Sequence, residues 1–128
     1  MLTKRLADCQ ELIANDGCRV RELLHPNNDS VDLPYSLAVG VLAPRERSVH
    51  HRLAQAEVYY ILEGSGIMHV GHESRPVMPG DVICVPAGAE QWAENLGVNR
   101  LMFMIIVSPP WRSEDDLRVE SERGRRGL

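Results

Sequence analysis

Apolar and polar residues alternate in short runs along most of this chain, the period of half-buried β-strands. In "EVYYIL" the alternation puts Glu57, Tyr59 and Ile61 on one face and Val58, Tyr60 and Leu62 on the other. Similar runs are "CRVRELL", "YSLAVGVL", "SVHHR", "GIMHV", "DVICV", "QWAEN" and "RLMFMIIV", separated by clusters of Gly, Pro, Asn and Asp. Short strands with such regular punctuation predict an all-β sandwich or barrel. "RLMFMIIV" is apolar throughout, so it belongs at the centre of the core, and Pro109 with Pro110 stops it. Near the start, Leu2, Leu6, Cys9, Leu12 and Ile13 recur at helical spacing until Asn15, Asp16 and Gly17, which predicts a short N-terminal helix. Beyond Trp111 the run "RSEDDLRVESERGRRGL" is dense in mixed charge and poor in apolar residues, and everything after Asp116 reads as an appendage. The expected organisation is a helical segment over 1–17, a barrel over 18–111 and a charged C-terminal tail over 112–128.

Composition narrows the partners. A chain of 128 residues, 44% hydrophobic and 25% charged, suits one domain with a sizeable core. A net charge of -4 offers no basic field for phosphates, so nucleic acid is a poor partner and a small-molecule ligand a better one. Leu101 to Val107, the longest apolar run, is too short to cross a bilayer, and the start lacks the apolar core of a signal peptide. Cys9, Cys18 and Cys84 show no metal-knuckle or disulfide spacing and read as reduced thiols, so the expected location is cytoplasmic.

The candidate chemistry lies in two stretches. In "HHRLAQAEVYYILEGSG", His51 and Leu53 share a strand face, and a bend through Ala54, Gln55 and Ala56 brings His51 towards Glu57 while His50 and Arg52 point away. In "GDVICVPAGAEQWAEN", Pro86, Ala87 and Gly88 reverse the chain, and Gln91, Ala93 and Asn95 then share a face. Together these stretches resemble the two motifs of a small single-domain cupin. The first motif, His-x-His followed by Glu and Gly, is matched by His51, Leu53, Glu57 and Gly64. The second, Gly, then Pro-x-Gly, then His and Asn, is matched by Gly80, Pro86, Gly88, Gln91 and Asn95. An alternative register reads His50 and Arg52 in the first two positions.

The resemblance implies a cupin-type double-stranded jelly-roll β-barrel, and a divalent metal held in it by three His and one Glu. This chain departs from that set: Leu53 stands where the second His would be, and Gln91 replaces the third. The metal ligands the resemblance leaves are His51, Glu57 and Gln91, a hard, incomplete set suited to manganese, iron, zinc or magnesium. The other reading of the same residues is a buried polar network without metal. Tyr59, Ile61, Leu53 and His69 are candidate lining of a substrate pocket, His69 having an unfixed face across the turn at Gly64. The functions this implies are a metal-dependent enzyme of dioxygenase, isomerase or decarboxylase type on a small oxygenated metabolite, a non-catalytic binding or sensing module, or a chiefly structural dimer. Small cupins commonly pair through sheet edges, so a homodimer is expected, with "CRVRELL" as the edge.

Overall fold

The structure, a computed structural model, describes residues 1–119. The stretch of charged tail from residue 120 to 128 lies outside the described residues.

Eleven strands fill the described chain: β1 (Glu11–Ile13), β2 (Arg19–Leu24), β3 (Ser36–Leu42), β4 (His51–Leu53), β5 (Ala56–Glu63), β6 (Gly66–Val70), β7 (Glu73–Val77), β8 (Val82–Val85), β9 (Glu90–Glu94), β10 (Leu101–Ser108) and β11 (Asp116–Arg118). They form a six-stranded sheet in the order β1-β2-β3-β10-β5-β8 and a five-stranded sheet in the order β11-β4-β9-β6-β7. The apolar strand β10 is central, paired antiparallel with β3 on one side and β5 on the other. Core residues come from both sheets: Leu42, Tyr59, Ile61, Val85, Leu101 and Phe103 from the larger, Met68, Val77 and Ala93 from the smaller. The sheets therefore bury their inner faces against each other, which is how an antiparallel sheet with one apolar face is stabilised. Among the described residues no ladder joins the two sheets into a closed barrel.

The expected N-terminal helix is not formed. Leu6–Asp8 makes a single 3-10 turn without a side-chain cap, and residues 11–13 continue as β1. A helix of about a dozen residues is marginal unless an apolar stripe packs on something. The stripe stays largely open, with Leu12 53% and Ile13 69% exposed. Pairing with β2, Glu11 opposite Arg21 and Ile13 opposite Arg19, satisfies this backbone instead. The same pairing removes "CRVRELL" (β2) from the sheet edge, which β1 now occupies. At the other end, residues 116–118 form β11 against β4 and belong to the smaller sheet.

Two motif residues are explained by backbone geometry. Gly64 turns the chain between β5 and β6 with φ +79°, where a Cβ would collide with the carbonyl oxygen of Arg100. Asn95, wholly buried, donates to the carbonyls of Leu42 (3.0 Å) and Asn99 (2.9 Å) and accepts from Gly97 N–H (3.0 Å). It closes the loop that leads into β10.

Candidate functional site

Strand alternation decides which side chains meet between the sheets. In β4 the burial pattern is buried, exposed, buried, so His51 and Leu53 face inward and Arg52 outward. In β5, Glu57, Tyr59 and Ile61 face inward. In β9, Gln91 and Ala93 do so, and the β4–β9 ladder sets Gln91 directly opposite His51. His51, Glu57 and Gln91 are 3%, 5% and 1% exposed.

These groups are bound into two hydrogen-bonded chains. Tyr59 Oη donates to Gln91 Oε1 (2.7 Å), and Gln91 Nε2 donates to Glu57 Oε1 (2.7 Å). On the far side, His51 Nδ1 lies 2.7 Å from Asp116 Oδ1, whose other oxygen accepts from Trp111 Nε1 at 3.1 Å. A carboxylate already accepting from an indole takes Nδ1–H as donor, which leaves His51 Nε2 facing inward. Asp16 completes the group: its Oδ2 is 3.5 Å from His51 Nε2, and its Oδ1 accepts from Cys18 N–H at 3.0 Å.

Burial and crowding of carboxylates govern the protonation states. Burial pushes the Glu57 carboxyl up to about 7, against the opposing pull of the Gln91 hydrogen bond and of His51, with Asp16 and Asp116 raising it further. Burial pulls the imidazole of His51 down, but the Asp116 hydrogen bond and the charges of Asp16, Asp116 and Glu57 outweigh it, and the net shift is upward. Burial, with nearby carboxylates, raises Cys18 and Tyr59 well above their usual values and keeps both neutral. His51 can thus donate from Nε2, and Glu57 can donate or accept near neutral pH.

His51, Glu57, Asp16 and Asp116 line one end of a cavity of about 150 Å³. Its other walls are mainly apolar: Leu12 and Ile13 from β1, Val20 from β2, Ala38 from β3, and Ile105 and Val107 from β10. Gln91 stands behind Glu57 and orients it. Tyr59 and Ile61 belong to the core cluster, and Leu53, 2% exposed, is buried as well; none of the three lines this cavity. His69 lies elsewhere. In the β6–β9 ladder it sits opposite Trp92, so it shares the outer face of the smaller sheet, stacked on that indole with centroids 3.7 Å apart.

The donor set does not make a fit for a divalent metal. Both ends of the Gln91 amide are committed to Tyr59 and Glu57, Leu53 offers no donor, and His51 Nδ1 is taken by Asp116. A metal at this point would have His51 Nε2 and one oxygen of Glu57 as its remaining family-type ligands. Among the described residues, no group of three His, Cys, Asp or Glu side chains is arranged to hold a metal ion.

Sequence reasoning missed Asp16, Asp116 and Trp111. Asp16 reads as a helix stop and Asp116 as the last residue before an appendage; only the β11–β4 pairing, Asp116 opposite Leu53 and Arg118 opposite His51, brings the second acid to the histidine. No local pattern signals so distant a contact.

Comparison with known proteins agrees with this architecture. The family profile of the cupin domain matches residues 38–107. The chain is 36% identical over 104 residues to the uncharacterized protein MJ1618 of Methanocaldococcus jannaschii, covering 80% of this chain and 82% of the relative. It is 32% identical over 59 residues to an oxalate-binding protein of Thermotoga maritima, 46% of this chain and 49% of that one. In fold it resembles the polyketide cyclase RemF of Streptomyces resistomycificus, with a TM-score of 0.78 at 19% identity, over 93% of this chain and 85% of that one.

Proposed function

The chain belongs to the cupin family, and from that premise we propose that its two sheets act as a jelly-roll container that binds a small molecule in the cavity lined by His51 and Glu57, with no resident metal ion. The observation that carries the reading is the hydrogen-bonded closure of Tyr59, Gln91 and Glu57 beside a pocket with largely apolar walls. Pockets of this kind take orientation from a few polar groups and affinity from apolar contact. Here Asp116 fixes the ring of His51, and Gln91 fixes Glu57, so both present preset hydrogen-bonding atoms to a ligand.

The test is a binding survey by chemical-shift titration, using small alcohols, amines and acids against the wild type and Ala38→Phe, which fills the cavity from β3. Binding by the wild type, centred on residues of β1, β3 and β10 and lost in the variant, is the expected result. Equal binding by both proteins, or none by either, contradicts the reading.

We propose further that the chain forms a homodimer, with the exposed edge β1 as the pairing strand. Light scattering at micromolar concentration checks it, and a monomer mass contradicts it. Three free cysteines support a reducing, cytoplasmic setting. Among the described residues no helix is long and apolar enough to cross a membrane.

A further inference from the structure

The cavity has a sign as well as a shape. Among the described residues its lining carries the carboxyl groups of Asp16, Glu22, Glu57 and Asp116 and no lysine or arginine, with His51 as the one basic group. Of these acids, Asp116 is matched by His51 and Trp111, which neutralise it locally. Asp16 and Glu57 are not matched in the same way. Asp16 Oδ2 has the longer 3.5 Å approach to His51 Nε2, and the hydrogen bond that Glu57 accepts from Gln91 runs through Oε1. Carboxylates crowded beside apolar walls are costly to ionise, and a ligand that brings N–H donors and positive charge relieves that cost.

We propose that the ligand of this cavity is a small protonated amine with a short branched or cyclic apolar body, its ammonium group held between Asp16 and Glu57. This deepens the small-molecule reading above and rests on it. An ammonium brings several donors and a positive charge to two carboxylates, and charge-assisted hydrogen bonds of this type are roughly twice as strong as neutral ones. The apolar body fits against Leu12, Val20, Ala38, Ile105 and Val107. The size follows from the volume: about 150 Å³ corresponds to roughly five water volumes, room for a ligand of about five or six heavy atoms. A dianion such as oxalate meets the wrong charge here, so the cavity differs in ligand chemistry from what the name of the oxalate-binding relative states.

Three matched probes separate charge from shape: isobutylamine, isobutanol and isobutyrate, with oxalate as a fourth, titrated at neutral pH into the full chain with amide chemical shifts as the readout. The amine is expected to bind at least about tenfold more tightly than the alcohol, and the two anions not to bind. Asp16→Asn should cut the amine affinity about tenfold and leave isobutanol binding unchanged. Should that variant fail to fold, Glu22→Gln at the cavity wall serves instead, with a smaller loss in the same direction. Isobutanol binding as tightly as the amine, or an anion binding more tightly, overturns the charge assignment while the cavity reading stands. No binding by any of the four overturns both.

Discussion

The start of β4 carries two histidine sites on opposite faces, His51 within the strand and His50 just before it. On the inner face, His51 is 3% exposed, hydrogen-bonded to Asp116 and turned onto a cavity. On the outer face, His50 stacks on Trp92 with centroids 4.4 Å apart and bonds to Glu90 at 2.9 Å. His69, from the neighbouring strand β6, stacks on the same indole and bonds to Glu94 at 3.0 Å. Both faces pair imidazole with carboxylate. The inner face differs in being buried and in bordering a cavity, with carboxylates that crowd one another, and so it shifts protonation. The outer face has the same residue types packed flat, where stacking and partly exposed histidine–carboxylate hydrogen bonds contribute modestly. One residue of register separates the proposed ligand site from a stack on the outer face of the sheet.

The sharpest way to break this contrast is at Gln91. Gln91→Leu keeps the volume but strands the hydroxyl of Tyr59 and Glu57 Oε1 inside the protein, two buried groups that each cost about 1–3 kcal/mol without partners. Chemical denaturation should show a loss of about 4 kcal/mol. A loss within experimental error would mean that water replaces the amide.

The next effect is in pH. Folding raises the Glu57 carboxyl from 4.5 to about 7, so between these values the folded state binds more protons than the unfolded one. Stability therefore falls as pH rises through that window, by about 3 kcal/mol in all, and the cost of burying the carboxylate is fully present above about pH 7. Glu57→Gln should lose this slope, being favoured over wild type at pH 8 more than at pH 5. His51, also raised, acts in the same direction: its contribution is complete below the unfolded value and is lost as pH rises through the folded one. A residual slope in the Glu57 variant is thus assigned to His51, and the double variant with His51→Gln should flatten it.

Smaller effects separate the two histidines directly. His51→Ala removes the partner of a buried carboxylate and should cost about 2 kcal/mol, whereas His50→Ala at the outer stack should cost less than about 1 kcal/mol. Thermal melts of both variants at one pH give the comparison, and the reverse order would move the functional face to the outside of the sheet.

How much of this was legible in the sequence depends on distance along the chain. The alternation in "EVYYIL" and "QWAEN" is local, and it groups Glu57 with Tyr59 and Gln91 with Ala93 on shared faces, which the structure turns inward. The cupin resemblance came from the motif residues 51–95, inside the stretch matched by the family profile. What could not be read was supplied by the ends. The spacing of Leu2, Leu6, Cys9, Leu12 and Ile13 is helical, yet an available sheet edge took residues 11–13 as β1. Asp116 reaches His51 because β11 pairs with β4, and Asp16, a hundred residues away, is held at the same ring by the backbone bond from Val49 N–H to its carbonyl at 2.7 Å. The side of the sheet taken by His69 depended on a turn whose register becomes visible only in the pairing of Met68 with Ala93 and His69 with Trp92.

The central claim, that the His51, Glu57 and Gln91 group is complete without a metal, is tested most directly by the thermal midpoint of the wild type in chelator and in excess manganese, iron(II), zinc or magnesium. Leu53→His with Gln91→His serves as the positive control: if those positions face the same centre, it is less stable than wild type in chelator, by about 2 kcal/mol or more, and recovers with a transition ion. The account predicts that the wild-type midpoint is the same in every condition. A rise with any of these ions that Glu57→Ala abolishes would contradict it and restore the metal-binding reading of these three residues.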